Sequence, residues 1–414
     1  MTQNASSPKV AYILLWFPLL SETFIFHEIK RLLNLNLPIV VYTLYGKKTD
    51  HCTNDMLNLQ VKIHRLGVKN LFKILHSFIA YAISNPLNTW KLLREGCIRK
   101  MRNYEALGEN LWAFFASFYL SKLLKQDNIN IIHAPWANGP ATSAWIASKL
   151  INIPFAFTGR AGDIYPQDGL LKEKIRDAVF VRTNNKTNID WLKKFCSPQN
   201  YHKIHLIYNT LTLPIDQNCH PNFTPPYKIL AIGRLVRTKG FPDLFTAIAR
   251  LKRENFHIQL TLIGDGNWKN KLLNLRKKLH LENNINMVGF VQHSQLTKYL
   301  HEHDLVVVPS VVHENGDRDG IPNVIMESLS HNIPVIATDV CGINEIIHDK
   351  KTGLLVKERD PKALANAIRY MLENKELALK MAQEGKELIT DLFDQNKNTK
   401  ALYDLYCSVC TELK

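Results

Sequence analysis

Asp319 and Glu327 stand eight residues apart in the stretch DGIPNVIME. Ahead of them lies Leu305-Val306-Val307-Val308-Pro309, an apolar run that reads as a buried parallel strand. The polar loop SVVHENGDRDG follows, and an amphipathic helix is expected from Ile321 to Leu329. Pro322 suits its first turn, where no amide donor is needed. A helix that starts just after a strand presents free N–H groups and the positive end of its dipole to an anion. Asp319 before the helix and Glu327 two turns in can line one end of the same pocket. The chemistry this permits is the holding of a phosphorylated, hydroxyl-rich ligand. The plain alternative is a solvated acidic turn.

A second group of residues could hold phosphate. Gly233-Arg234 leaves an expected strand, and Lys239-Gly240 follows in GRLVRTKG. Glycine permits close backbone approach, arginine offers a fork and lysine a point charge. The pattern is not a P-loop, and a basic turn would look the same. Gly264-Asp265-Gly266 and Gly289-Phe290-Val291 are weaker turn signals. His301 and His303, two apart on one helix, face different ways and make a poor metal pair. Cys407 and Cys410 form a single C-x-x-C without a second pair, so neither a metal nor a redox role is assigned.

The elements that must position these residues alternate. In the first half, strands are expected at Val10–Phe17, Pro38–Tyr45, Ile129–Ala134, Pro154–Thr158, Val179–Thr183 and Ile204–Tyr208. In the second they are expected at Lys228–Ile232, Ile258–Ile263, Ile285–Val291, Leu305–Pro309, Pro334–Thr338 and Gly353–Val356. Helical patterns lie between them, which implies two doubly wound α/β domains. Ser21 can cap a helix from near Glu22, with Glu28 interrupting its apolar face. Two long helical patterns, about 70–100 and 106–125, form an insertion. Its aromatics are expected to be mostly core, with a basic face outside. The domain reading is 1–212 for the first unit, a proline-containing linker over 213–227, a second unit over 228–393, and a last helix over 394–414.

At 414 residues the chain exceeds one ordinary core. Its 46% apolar and 21% charged content is that of a globular enzyme. No apolar run reaches the roughly 18–20 residues of a membrane span, and the N-terminus lacks the pattern of a signal peptide. Seven scattered cysteines fit a reducing compartment. The net charge is lopsided. Residues 1–210 hold 26 Lys and Arg against 13 Asp and Glu, and the remainder holds 26 against 24. An anionic partner for the first half is implied: a membrane surface, nucleic acid or an acidic substrate. A basic amphipathic insertion favours lipid. No helix-turn-helix, zinc-finger or RNA-binding signature accompanies the charge, so nucleic acid is not the expected partner.

Taken in order, GRLVRTKG, GDG, VGFV, VPS…DGIPNVIMESL and PVIATDVCGINEII resemble the C-terminal domain of retaining GT-B glycosyltransferases of family 4. FPLLSETFIFHEI, IHAPWANGPATSAWIASKL and FAFTGRAGDIYP resemble the subset that builds bacterial exopolysaccharide and lipopolysaccharide, including the colanic-acid transferases. The resemblance covers nearly the whole chain apart from residues about 60–125. It implies two Rossmann-like domains facing a cleft, with the last helix crossing back to the N-terminal domain. It also implies that Arg234 and Lys239 hold a diphosphate and stabilise the leaving group, in place of a metal or any cofactor. Gly233, Gly266, Val291, Gly320, Ile321 and Asn323 would complete the donor site. Glu327 would bind ribose hydroxyls, and Asp319 takes the place of a longer glutamate that contacts the sugar. Asp317-Arg318-Asp319 spells the D-x-D metal pattern of the GT-A fold, but it sits in a GT-B donor loop, so no metal is expected.

Relatives usually carry histidine where this chain has Arg160. Guanidinium cannot act as a base, but a front-face mechanism with retention needs no enzymic nucleophile. Arg160 and Asp163 remain candidates beside the sugar, with Asp163 able to orient Arg160 or a hydroxyl. Ser21, Glu22, Thr23 and His133 are candidates for acceptor contact, and a satisfied structural histidine is an equal reading of His133. The expected function is transfer of a hexose from a UDP- or GDP-sugar to a glycan on a lipid carrier, in the cytoplasm or on the inner face of its membrane. The alternatives are a sugar-nucleotide 2-epimerase of the same fold and a catalytically inactive binder of sugar nucleotide or nucleic acid.

Overall fold

The computed structural model describes residues 7–19, 22–47, 52–97, 104–166, 169–209, 221–314 and 316–412. The chain divides into two compact units. One comprises Met1–Thr210 with Gln395–Lys414, and the other is Leu211–Asp394.

The first unit is built on β1 (Val10–Leu14), β2 (Ile39–Thr43), β3 (Lys62–Arg65), β4 (Ile131–Ala134), β5 (Phe155–Gly159), β6 (Val181–Thr183) and β7 (Ile204–Leu206). They form one sheet in the order β3-β2-β1-β4-β5-β6-β7, with every neighbour parallel. β1, β2, β4 and β5 are buried along their whole length, as expected where helices cover both faces. The last helix, Gln395–Glu412, packs on this unit: Leu402, Tyr406 and Val409 join the core of β1 and the helix Thr23–Asn34. Tyr406 and Tyr12 share a hydroxyl hydrogen bond of 2.9 Å inside that core.

β3 is absent from the sequence reading. KIHR has one aliphatic residue and is only partly buried, so no apolar pattern marks it. It forms because Asp127 collects three donors. Tyr42 donates from β2 at 2.6 Å, His64 approaches to 2.7 Å, and Lys62 pairs with the other oxygen. Burial alone would raise the Asp127 carboxyl, but these hydrogen bonds outweigh it and hold it at about 2. Asp127→Ala should therefore cost about 2 kcal/mol in urea denaturation, since the Tyr42 hydroxyl loses its buried acceptor. The wild-type advantage should be complete above about pH 4 and vanish as pH falls towards 2.

The insertion forms three helices rather than two: Leu71–Ser84, Pro86–Gly96 and Tyr104–Gln126. Pro86 ends the first pattern and starts the next helix at its N1/N2 position. Phe78 meets Phe114, Phe115 and Phe118 edge-on at ring-centroid distances of 4.9–6.1 Å. Phe72 and Trp90, expected in the core, are instead exposed.

The second unit contains β8 (Tyr227–Ile232), β9 (Ile258–Ile263), β10 (Ile285–Gly289), β11 (Leu305–Val308), β12 (Val335–Thr338) and β13 (Leu354–Val356). The sheet runs β10-β9-β8-β11-β12-β13, all parallel. The order reverses between β8 and β11, and a doubly wound sheet opens a crevice at the carboxyl ends of such strands. Part of the expected linker, 211–220, lies outside the described residues. The rest is anchored by Asp304, which accepts from Phe223 N and Lys228 N at 2.8 Å each.

Candidate active site

Both phosphate-binding candidates lie at the β8/β11 reversal. β8 runs into Gly233-Arg234, and a short 3-10 turn, Arg237–Lys239, returns to the helix Phe241–Arg253. The return must be tight. Gly240 has φ +63°, and a Cβ there would lie 1.7 Å from the Pro309 carbonyl at the end of β11. Gly264 is equally confined, because a Cβ would meet the Gly233 carbonyl at 1.9 Å. The loops after β8, β9 and β11 therefore press together at one end of the sheet.

There the Lys239 ammonium meets the Asp319 carboxylate at 2.9 Å. Ser310, two residues beyond β11, donates to the same carboxylate oxygen at 2.8 Å. Lys239 and Asp319 are mostly buried, with side chains 15% and 18% exposed. Arg234 is exposed at the mouth of its loop. The following helix begins at Asn323 rather than Ile321. Pro322 is its N-cap residue, extended at φ −66° and ψ 128°, and no side chain caps the helix. This corrects the expected start: proline fixes the extended entry, and as the N-cap residue it offers no side-chain acceptor to the N–H groups of the first turn. Gly320 and Ile321 are half-buried in the segment leading to it, and Asn323 is exposed.

Glu327 is half-buried on this helix, and burial raises its carboxyl to about 7. Its backbone carbonyl accepts from Ser330 Oγ and is approached by His331 Nδ1. Gly266 belongs to the adjoining turn, its N–H on Asp265 Oδ1 at 2.7 Å. Val291 follows the outer strand β10, two strands from the reversal. No hydrogen bond or ion pair connects it with Lys239 or Asp319 among the described residues.

Several participants carried no sequence signal of a role. Ser310 is one. Arg237 is another, paired with Glu314 at 2.7 Å. Arg318 bonds the Gly316 carbonyl at 3.1 Å and stands beside Cys341. Glu358 accepts from Val312 N at 2.8 Å and so tethers the loop after β11 to the end of β13. His303 lies beyond its helix, and its ring bridges Thr261 Oγ1 at 2.8 Å and the Tyr299 carbonyl at 2.6 Å. Among the described residues no group of three or more His, Cys, Asp or Glu is placed to hold a metal ion. Cys407 forms no disulfide among the described residues, and the side chain of Cys410 lies outside them.

The first unit reverses its strand order between β1 and β4, and Glu22, Arg160 and Asp163 lie on the loops near it. Arg160, at the end of β5, is 4% exposed. Its guanidinium lies 4.4 Å from the Phe24 ring centroid and 5.6 Å from that of Trp136. Nε bonds the Pro135 carbonyl at 3.3 Å and Nη1 bonds Asn209 Oδ1 at 2.8 Å, whereas Nη2 is buried without a hydrogen-bond partner. Burial, then the Arg182 charge, lowers the guanidinium to about 10. Glu22 is close enough for its carboxyl to feel Arg160, though burial prevails and raises it. Thr23 opens the helix half-buried, and Ser21 lies outside the described residues.

Of the two partners expected for Asp163, the Arg160 guanidinium donates no hydrogen bond to it among the described residues. Its carboxylate accepts from the Arg160 backbone N–H at 2.7 Å and from Ala137 N, tying the loop after β5 to the loop after β4. Burial raises it to about 7. His133 takes the structural alternative. It is fully buried within β4, 3.1 Å from Thr158 Oγ1 and ringed by Tyr12, Phe180 and Tyr406. Burial drives its imidazole down to about 3. It is a neutral core residue, set inside the sheet rather than on the loops with Glu22 and Arg160.

Residues 215–388 match the family described as glycosyl transferases group 1. WcaL of Escherichia coli K12, named as a colanic acid biosynthesis glycosyltransferase, is 25% identical over 96% of this chain and 99% of its own length. AmsK of Erwinia amylovora, named as an amylovoran biosynthesis glycosyltransferase, is 33% identical over 140 residues, 34% of each chain. Among solved structures, Anabaena Alr3699/HepE in complex with UDP superposes with a TM-score of 0.70 at 16% identity, covering 97% of this chain and 100% of that one. The expected fold class, two Rossmann-like doubly wound units of the GT-B type, is the one found.

Proposed function

We infer that this chain, whose residues 215–388 match the family of group 1 glycosyl transferases, transfers a hexose from a UDP- or GDP-sugar to a lipid-linked surface-polysaccharide intermediate, with retention at the anomeric carbon. The observation that carries this reading is the convergence of Lys239, Asp319 and the uncapped helix of Glu327 at the β8/β11 reversal. A diphosphate seated there has cations on one side and helix N–H groups on the other. Glu327 accepts from ribose hydroxyls, and Asp319 accepts from the sugar. The names of WcaL and AmsK support a surface polysaccharide as the product.

In the step itself, the bond from the anomeric carbon to the β-phosphate oxygen breaks and the electron pair stays on phosphate. Lys239 and Arg234 stabilise the charge that develops there. The acceptor hydroxyl forms the new bond from the same face, and its proton passes to the departing phosphate. No side-chain nucleophile and no metal take part, and chelation with EDTA should leave the rate unchanged. The nucleotide sugar is a co-substrate, and no other cofactor is required.

Acceptor recognition is placed on the loops of the first unit. The spare Arg160 Nη2 donates to an acceptor hydroxyl or phosphate, and Glu22 accepts from a neighbouring hydroxyl. Arg160→Met should raise the acceptor KM about 10-fold, the worth of one charged hydrogen bond. The stabilisation given by nucleotide sugar should stay the same.

The deciding experiment is release of UDP or GDP from a nucleotide-sugar panel, with and without lipid-linked glycan. Release only when glycan is present, with sugar incorporated into it, is the expected result. Epimerised nucleotide sugar without release would identify an epimerase, and binding without turnover would identify an inactive binder.

A further inference from the structure

Thirteen large apolar side chains are exposed among the described residues, and eight of them fall within residues 68–90. They are not scattered. Phe72, Leu75, Ile79 and Ile83 recur at three- and four-residue spacing on the helix Leu71–Ser84, which makes one stripe. The opposite face, with Ile74 and Ser77 buried and Phe78 against the phenylalanines of Tyr104–Gln126, holds the helix to its unit. Leu87 and Trp90 continue the exposed set on the helix Pro86–Gly96. Phe72 is 88% exposed and Leu87 is 87% exposed. Ordinary surfaces show single apolar residues, not a run of this kind.

Charge indicates what covers it. Residues 56–94 contain no Asp or Glu, and they contain Lys62, Arg65, Lys69, Lys73, Lys91 and Arg94. The one acid of the two helices, Glu95, is held by Lys149 at 3.1 Å, and an apolar stripe whose other charged neighbours are cations suits a surface with negative headgroups above an apolar interior. No helix among the described residues is long and apolar enough to cross a membrane.

We propose that the helix pair Leu71–Ser84 and Pro86–Gly96 docks this protein on an anionic lipid bilayer. Phe72, Leu75, Ile79, Ile83, Leu87 and Trp90 enter the headgroup region, and Lys69, Lys73, Lys91 and Arg94 pair with phosphates. The inference deepens the reading of a lipid-linked acceptor, because it puts the enzyme where such a substrate resides. It reverses the sequence expectation for these helices: the outer face is apolar, with the cations along its margin.

Flotation of the full chain with phosphatidylethanolamine vesicles containing phosphatidylglycerol tests it, with phosphatidylcholine vesicles as control. The protein should float with the anionic vesicles at least ~10-fold more than with the neutral ones. The triple variant Phe72→Ser, Leu87→Ser, Trp90→Ser should lose at least ~10-fold of that partition. These three side chains are exposed, so the variant should fold and keep its stabilisation by nucleotide sugar. Failure of the wild type to float, or equal flotation of the triple variant, would overturn the docking surface. Retained nucleotide stabilisation in that case would leave the proposed function standing. A wild-type dimer by light scattering that the triple variant converts to monomer would assign the face to a second copy of the chain instead, and would equally overturn it.

Discussion

Lys239→Ala is expected to slow turnover of the productive nucleotide sugar by about 10²–10³-fold, the size found when one donor to a developing oxyanion is removed. The argument rests on placement. Lys239 ends a three-residue turn held between Gly233 and Gly240, and its side chain passes within van der Waals reach of Gly233. Its ammonium is fixed against Asp319 at 2.9 Å. A lysine mostly removed from water and already positioned loses little freedom when phosphate arrives, so its charge acts where it develops. Removal leaves Asp319 with its Ser310 hydrogen bond, which keeps the loop folded and confines the effect to phosphate binding and turnover. The readouts are UDP or GDP release with acceptor and stabilisation by nucleotide sugar. The latter should reach roughly 2.7 kcal/mol at 100 times Kd in the wild type and fall sharply in the variant. Unchanged release together with unchanged stabilisation would mean that the crevice between β8 and β11 is not the donor site.

The parts of this site that could be read from sequence are those encoded by local pattern. Apolar runs bounded by glycine and proline located all six strands of the second unit, and GRLVRTKG and DGIPNVIME marked the loops that follow two of them. Contacts between distant segments left no such trace. Arg182 sits in a strand that reads VRT, and its partner is Glu28, 154 residues earlier. Burial alone would raise Glu28, yet the Arg182 charge holds its carboxyl below the usual range. Read along the helix, Glu28 is only an interruption of an apolar face. Ser310 became part of the site only because β11 and β8 are neighbours. β3 was missed for a related reason: its pairing depends on Asp127, which is 62 residues beyond the strand. The insertion was misread because an apolar, aromatic helix normally predicts burial. The side chains that face outward there resemble in type those that face inward, and only the packing against Tyr104–Gln126 separates the two sets.

Glu327→Gln should make the ligand-free protein more stable and unresponsive to nucleotide sugar. Burial lifts the Glu327 carboxyl from 4.5 to about 7. An unfolded chain ionises this group near 4.5, whereas the native state keeps its proton until about 7. Between those values the native state binds more protons, so stability falls as pH rises, and the loss is complete above about pH 7. Converted at 1.36 kcal/mol per unit, the shift sets a ceiling of about 3 kcal/mol, and the half-buried position makes about 1–3 kcal/mol the expected gain. Glutamine keeps the volume and removes the charge. The variant and wild type should therefore unfold alike near pH 4.5 and diverge up to about pH 7, with the variant melting higher. Stabilisation by nucleotide sugar should be lost in the variant at every pH, because an amide replaces the paired acceptors that ribose hydroxyls require. A higher melting temperature with lost binding is the signature of a carboxylate kept for function at a cost in stability. Equal melting at pH 8 would show that the wild-type carboxylate is already compensated in the free protein, and retained binding would move the ribose contact to another residue.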